Sequence, residues 1–439
     1  MTSPPVAPGD RSVPWQDVFP PTCYLKPIKY VCSINRCSLP ETTDPDTEFR
    51  YVDISSVDAE GNWVASEPMR FADAPSRARR VVKDGDVLVS TVRTYLRAIT
   101  HVNKVEEPLI CSTGFAVLTA SGAVHSKFLA YWVRSVCFVD EVVARSVGVS
   151  YPAVNASDVG NIPCPIMPFD KQQAIAAYLD RETSRIDALI EKKRRQIELL
   201  QEKRAALISN AVTKGLDPNA PMKDSGIEWL GEVPAHWQLP PLYSRFRVEL
   251  GKMLDEKRIT GAHLLPYVRN VDVQWDMVNT TDLPEMDIAP SEYPRYTLRV
   301  GDLLVCEGGE VGRTAVWRGE LALCAFQKAI HRLRPITDQD LPRFLFYVMC
   351  AAAFTGVFIA QGNPNTIPHL TAEKLRVYRF PFPPAGEQLA IVECLDRETS
   401  KIDVLVEKIN LSIEHLREYR TALISAAVTG KIDVRKGVA

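Results

Sequence analysis

The sequence predicts an α+β protein built twice: two pseudo-symmetric mixed α/β domains separated by two long helices that form an antiparallel coiled coil. Three observations carry this expectation. First, "LDRETSRIDALIEKKRRQIELLQEKRAALISNAVTKGLD" (residues 179–217) returns 216 residues later as "LDRETSKIDVLVEKINLSIEHLREYRTALISAAVTGKID" (395–433), with 24 of 39 aligned positions identical. Second, the same offset relates shorter matches: Tyr51 and Val52 with Tyr267 and Val268, "GDVLV" at 85–89 with "GDLLV" at 301–305, "FLAYW" at 128–132 with "FLFYV" at 344–348, and Pro152 with Pro368. Third, both long segments carry apolar residues at heptad spacing.

In chain order the unit is a variable domain followed by a long helix. Residues 1–19 form a degenerate N-terminal segment and 20–169 the first variable domain. A central helix follows at 170–214, then a linker at 215–237, the second variable domain at 238–383 and a C-terminal helix at 384–430. Within the variable domains, short β-branched runs such as "VLVSTV" (87–92) and "LLVCEGG" (303–309) alternate with Gly, Pro and Asn clusters, the pattern of strands and turns. "HSKFLAYWVRSVCFVDEVV" (125–143) reads as one helix packed on the sheet.

Asp170 is expected to cap the central helix, with Gln173 in the capping-box position and Lys214-Gly215 as the stop. About 43 residues at ~1.5 Å each make a rod of roughly 65 Å. In the first helix one row of the seam runs Leu179, Ile186, Lys193, Leu200, Leu207, with Ile190 and Ile197 in the other. The second has Leu395, Ile402, Ile409, Leu416 and Leu423, with Val406 and Ile413. The natural partner of one seam is the other.

Composition narrows the function. No apolar run is long enough to span a bilayer, and "MTSPPVAPGDRSVPW" lacks both a basic start and an apolar stretch, so a cytoplasmic protein without membrane association is expected. The 10 cysteines are scattered, with Cys32 and Cys37 the one close pair; without CxxC or HxxxH, buried reduced thiols are expected and no metal site. A formal net charge of −2 means that any nucleic-acid contact needs local positive charge. A two-fold reader of DNA places its modules on half-sites about one helical turn apart, ~34 Å, and a rod of this length can hold two domains so. Because the two domains differ, the expected site is bipartite and asymmetric.

The segments "KQQAIAAYLDRETSRIDALIEKKRRQIELLQEKRAALISNAVTKGLDP", "KDSGIEWLGEVPAHW" (223–237) and "FPPAGEQLAIVECLDRETSKID" (382–403) closely resemble the specificity subunit (HsdS) of type I restriction-modification systems. The resemblance runs from about Tyr51 to the end. It implies two target-recognition domains, one for each half of a split DNA sequence, joined by conserved spacer helices. It also implies double-stranded DNA and two modification subunits as partners, with two restriction subunits joining that core. The chemistry would belong to those partners: adenine methylation with S-adenosylmethionine in the modification subunits, and translocation and cleavage with ATP and Mg in the restriction subunits. This chain itself would be non-catalytic and hold no cofactor. Family members often begin with a copy of the "KDSGIEWLGE" motif, and here Trp15 is at most its remnant.

No active site is legible. The string closest to an adenine methyltransferase motif is "NPNT" at 363–366, without a second proline or an aromatic. "GGEVG" (308–312) lacks dinucleotide-loop spacing, and neither Gly251-Lys252-Met253 nor Gly430-Lys431-Ile432 completes a phosphate loop. The seven histidines are isolated.

Base reading in the major groove requires Arg or Lys for guanine, Asn or Gln for adenine, and Asp or Glu for cytosine. The candidates are such residues in glycine-bearing loops. In the first domain they are Arg93, Arg97, Ser112, Thr113, Ser146, Ser150 and Tyr151; in the second, Glu307, Glu310, Arg313, Gln327, Lys328, Asn363, Asn365 and Thr366. Candidates for phosphate contact are Arg77, Arg79 and Arg80, together with Lys192, Lys193, Arg194 and Arg195 on the central helix. A duplicated coiled-coil interaction scaffold without DNA reading would share the helices, but divergent Gly, Asn and Arg loops on matched scaffolds argue against it.

Overall fold

The molecule, seen in a computed structural model, is described at residue 19 and over residues 23–434 except 106–107, 149–150, 255–259 and 361–368. It divides into two units, Met1–Lys193 with Asn410–Ala439 and Arg194–Ile409. The division falls inside both long helices, because each domain packs on one half of each.

The first unit holds strands β1 (Tyr24–Pro27), β2 (Cys32–Ile34), β3 (Glu48–Val52), β4 (Met69–Arg70), β5 (Ala78–Val82), β6 (Val87–Ser90), β7 (Ile99–His101), β8 (Leu109–Ser112) and β9 (Phe115–Ala120). Helices α1 (Ser126–Arg134), α2 (Val136–Arg145) and α3 (Ala156–Gly160), strand β10 (Pro163–Ile166) and the start of helix α4 (Phe169–Lys214) follow. Two four-stranded sheets, β2-β9-β6-β7 and β4-β3-β8-β5, enclose a core of Val52, Leu88, Val102, Phe115 and Val117. The first and last strands, β1 and β10, pair antiparallel and close the domain.

In the second unit come β11 (Met222–Asp224), β12 (Glu232–Pro234), β13 (Phe246–Leu250), β14 (Leu264–Val268), β15 (Val273–Gln274), β16 (Met277–Val278), β17 (Glu285–Asp287) and α5 (Tyr293–Tyr296). They are followed by β18 (Leu303–Cys306), β19 (Thr314–Val316), β20 (Ala325–Phe326), β21 (Ile330–Pro335), α6 (Pro342–Phe354), α7 (Val357–Ala360), α8 (Ala372–Val377) and α9 (Ala385–Val428). Its sheets β13-β21-β18-β19 and β17-β14-β20 repeat the first unit's plan. The offset of 216 carries β3 onto β14 and β6 onto β18 residue for residue, and the start of α4 onto the start of α9. The linker segment forms the β11–β12 hairpin and ends on buried Trp237, whose indole N–H donates to Glu387 in the first turn of α9 (3.0 Å).

Two local expectations are corrected. The single helix over 125–143 is two, because Ser135 turns extended (φ −67°, ψ 153°) and its hydroxyl accepts the Phe138 amide, making it the N-cap of α2. Asp170 is not a cap: α4 already starts at Phe169, leaving Asp170 in its first turn. Nor does Gln173 work there; it is exposed, and the buried amide is Gln172.

Gln172 accepts the His125 amide (2.8 Å) and donates to the Met167 carbonyl (2.8 Å). Gln388 repeats both bonds, accepting from Leu341 N (2.9 Å) and donating to Pro383 O (2.9 Å). Two turns on, the Tyr131 hydroxyl donates to Asp180 (2.9 Å), which also receives Lys127 (2.6 Å). Its counterpart Tyr347 donates to Asp396 (2.6 Å), which receives Arg343 (2.7 Å). Burial, with the Asp180 carboxylate adding to it, pushes the Tyr131 phenol up to about 12, so it stays a donor at any ordinary pH. Each domain is thus fastened to the helix that follows it by the same polar set.

The helices run antiparallel. In the second unit Arg204 faces Asp403 (3.6 Å), while Ile208, Ala211 and Val212, further along α4, share a core with Ile391, Val392 and Leu395, earlier along α9. The first unit carries the repeat's image of that ion pair, Arg420 to Asp187 at 2.9 Å. Of the expected seam, Leu179, Ile186, Ile190, Leu395, Ile402, Ile409, Ile413 and Leu423 are buried, and Ile197, Leu200, Leu207, Val406 and Leu416 half-buried.

Buried amides and exposed ion pairs should differ in weight. Gln388→Ala leaves backbone groups unpaired in the interior and should cost about 1–3 kcal/mol for each such group. Asp187→Ala removes an ion pair whose carboxylate is open to water and should cost less than about 1 kcal/mol. Urea denaturation of the two variants beside the parent chain measures both.

Candidate nucleic-acid interface

Three loops of the first domain meet at one rim. The β6–β7 connection crosses to residues 146–148 and 151–153, where paired bonds join Val147 and Ala153 (2.8 and 3.0 Å). Val154 N donates to Thr91 O (2.8 Å), Arg93 N to Pro152 O (2.8 Å), and Thr94 Oγ1 lies 2.9 Å from Ser146 Oγ. The β8–β9 turn joins them through Thr91 N to Gly114 O (2.8 Å), and the adjoining Thr113 amide donates to the carbonyl of Arg77 (2.9 Å).

Arg77, Arg93, Arg97, Thr113 and Tyr151 are therefore brought together, and all are exposed. Four other candidates serve the scaffold. Ser112 is fully buried and accepts the Gly114 amide, so it shapes the turn and does not reach the surface. Ser146 is half-buried and donates to Val142 O (2.8 Å). Arg79 lies over the Phe71 ring at 4.7 Å, and Arg80 is half-buried within β5. Ser150 lies outside the described residues.

The second domain builds its rim with the same suture, Leu370 N to Glu307 O (2.8 Å), the image of Val154 on Thr91. Its β18–β19 loop is braced by two residues the sequence did not single out. Asn270 donates to Gly308 O (2.9 Å) and its carbonyl accepts Arg313 (2.8 Å), while the Trp275 indole donates to Glu310 (2.7 Å). No local spacing reveals such partners, since they lie 35 or more residues away in the chain. Arg313 is consumed in this bracing, with Glu310 as a second partner at 3.6 Å. Gly312 has φ +82°, and a Cβ there would lie 2.5 Å from the Phe358 ring, so this turn takes glycine alone.

Glu310 and Lys328 are exposed; Glu307 and Gln327 are half-buried at the rim. Asn363, Asn365 and Thr366 lie outside the described residues. The helix candidates do not join either rim: Arg195 is paired with Glu198 (2.6 Å), Lys193 is half-buried in a seam position, and Lys192 and Arg194 stand on the exposed face of α4. Among the described residues, no group of three His, Cys, Asp or Glu side chains is placed to hold a metal, and no helix is long and apolar enough to cross a membrane.

With two loop rims on a duplicated scaffold in view, comparison with known proteins is decisive. A family model described as "Type I restriction modification DNA specificity domain" matches residues 77–199 and 255–415, well over half of the sequence. The chain belongs to that family. The specificity subunit is similar to the type I restriction enzyme MjaVIII specificity subunit of Methanocaldococcus jannaschii, 24% identical over 302 residues, covering 66% of this chain and 67% of that protein. Similarity to the EcoKI specificity subunit of Escherichia coli K12 is 21% over 335 residues, covering 74% and 70%. Its fold matches a chain from a solved type I restriction-modification complex (TM-score 0.76, 24% identity, covering 94% of this chain and 99% of that one). The HsdS subunit of Thermoanaerobacter tengcongensis also matches (TM-score 0.55, 24% identity, 94% and 98%). As a specificity subunit it is a non-catalytic DNA-recognition component of a type I restriction-modification complex.

One buried histidine is bonded to the backbone of the second rim. His331 is fully buried, its Nε2 lies 2.6 Å from Leu370 O, and burial holds its pKa below the usual range despite that bond. The unfolded chain therefore takes up the proton first, so the stability is fully present above about 6.5 and is lost as pH falls below it. The repeat places Phe115 at the matching position. The thermal midpoint of the parent subunit is expected to decline between about pH 7 and pH 5, and His331→Phe should flatten that decline.

Proposed function

We propose that each recognition domain reads one half of a split, asymmetric DNA target, while the helices carry two modification subunits that methylate adenine at N6. The observation that carries this reading is the shared suture. Thr91–Val154 and Glu307–Leu370 hold the same backbone rim in both domains, yet the side chains presented are arginines and a tyrosine on one and carboxylates, Gln327 and Lys328 on the other. A common framework with divergent surface chemistry serves two different half-sites.

Under this reading S-adenosylmethionine is bound by the modification subunits, and ATP and Mg by restriction subunits, two of which complete the assembly. Exposed arginines at the first rim supply the local positive charge that the overall balance lacks, contacting phosphates as well as bases. The antiparallel helix pair acts as the spacer that leaves the intervening bases unread.

The experiment is a methylome. Cells carrying this chain and a cognate modification subunit should show N6-methyladenine in one split motif, and cells lacking the chain should not. Because β1 pairs with β10, residues 23–167 form a closed graft. Exchanging them for the matching domain of another specificity subunit should change one half of the motif and leave the other intact. A motif that persists without the chain, or that changes in both halves, would contradict the assignment.

A further inference from the structure

Resting on the reading of the first rim as a DNA-reading surface, we infer that Arg93 is a base-reading residue. It recognises a guanine in the half-site of the first domain, and Tyr151 is its positioning residue. The backbone supplies the first argument. Six described residues other than glycine have positive φ, and of these Arg93 (50°) and Arg97 (52°) alone share one loop, on either side of the turn Thr94–Leu96. A side chain bears that conformation at a cost, and the surrounding bonds hold it in place: Arg93 N to Pro152 O (2.8 Å), Leu96 N to Arg93 O (2.8 Å) and Arg97 N to Thr94 O (3.2 Å).

Side-chain chemistry supplies the second. Both guanidinium groups are exposed, and among the described residues neither has a carboxylate partner. The Arg93 guanidinium lies over the Tyr151 ring, 5.0 Å from its centroid. A guanidinium held against a ring gives up none of its N–H donors to another acceptor, so they remain to pair with guanine O6 and N7. Stacking also removes rotamer freedom before DNA arrives, as a specific contact requires. The same loops expose Tyr95 (57%), Tyr151 itself (66%) and Val147 (79%), apolar and aromatic surface on loops that also carry two exposed cations.

The repeat supplies the third. Its offset carries Arg93 onto Gly309 and Arg97 onto Arg313, and Arg313 is bound to Asn270 and Glu310. The second domain has no free guanidinium at either place, so at these two positions the donor chemistry is found in the first domain alone. Arg97, on the opposite shoulder of the turn and without a stacking partner among the described residues, is assigned to a phosphate.

The test uses the full chain assembled with its modification subunit, and measures methylation across a DNA library in which every base pair of the motif is varied. Arg93→Ala and Arg93→Lys should each lose roughly 10- to 100-fold discrimination at one G·C pair of the first domain's half-site, with the other half unchanged. Tyr151→Ala should relax the same pair less, and Tyr151→Phe should preserve it, since the ring and not the hydroxyl does the positioning. Arg97→Ala should weaken binding evenly across sequences and reduce the salt slope by about one. Unaltered discrimination in Arg93→Ala, even weakening across all positions, or a half-site without a G·C pair would overturn the inference. A parent complex with no motif at all would instead refute the rim reading on which it rests.

Discussion

The structure depends on a buried polar clamp, made twice, between each domain and the helix that follows it. Gln172 and Gln388 are fully buried and bond to backbone groups on both sides of the junction. Two turns later a tyrosine from the domain meets an aspartate of the helix, Tyr131 with Asp180 and Tyr347 with Asp396. Buried amides tolerate few alternative geometries, because each displaced bond leaves an unpaired group in the interior. The clamp therefore sets the angle at which a domain leaves its helix, and with it the direction in which the rim faces. Arg343 adds a further tie by reaching Asp276 as well as Asp396, a link that Lys127 in the first domain does not make.

Framework and rim surface are built from different interactions. The rims are held by main-chain bonds such as Val154 to Thr91 and Leu370 to Glu307, which are indifferent to side-chain identity. Side chains at the rim are thus free to diverge while the backbone repeats. Arg97 and Arg313 show the consequence: equivalent by the repeat, one is exposed to solvent while the other is spent on bracing its own loop. A net charge of −2 is compatible with this arrangement, since attraction to phosphate needs only a local excess where the loops meet.

The sequence by itself determined the duplication, the two long helices and their seam. Helical periodicity is local, so Leu179, Ile186 and Ile190 declare a buried stripe without reference to anything else in the chain. Duplication made the strands legible too, because a match such as "GDVLV" with "GDLLV" marks one backbone position twice. Family membership was legible for the same reason, the helical segments being long and distinctive.

Only the tertiary structure decided which loop residues act together and which are spent on the fold. Arg93 meets Tyr151, and Thr94 meets Ser146, across more than fifty residues of chain, contacts no spacing rule anticipates. Ser112 looked like a loop residue and lies inside, whereas Asn270 and Trp275 carried no sequence signal and brace the second rim. Even a helix end escaped local reasoning: Ser135 interrupts an apolar run that reads as continuous, because its hydroxyl finds the amide of Phe138. Patterns within one turn of helix or one strand are written in neighbouring residues. Hydrogen bonds between distant loops are settled only when the sheets bring those loops to the same edge.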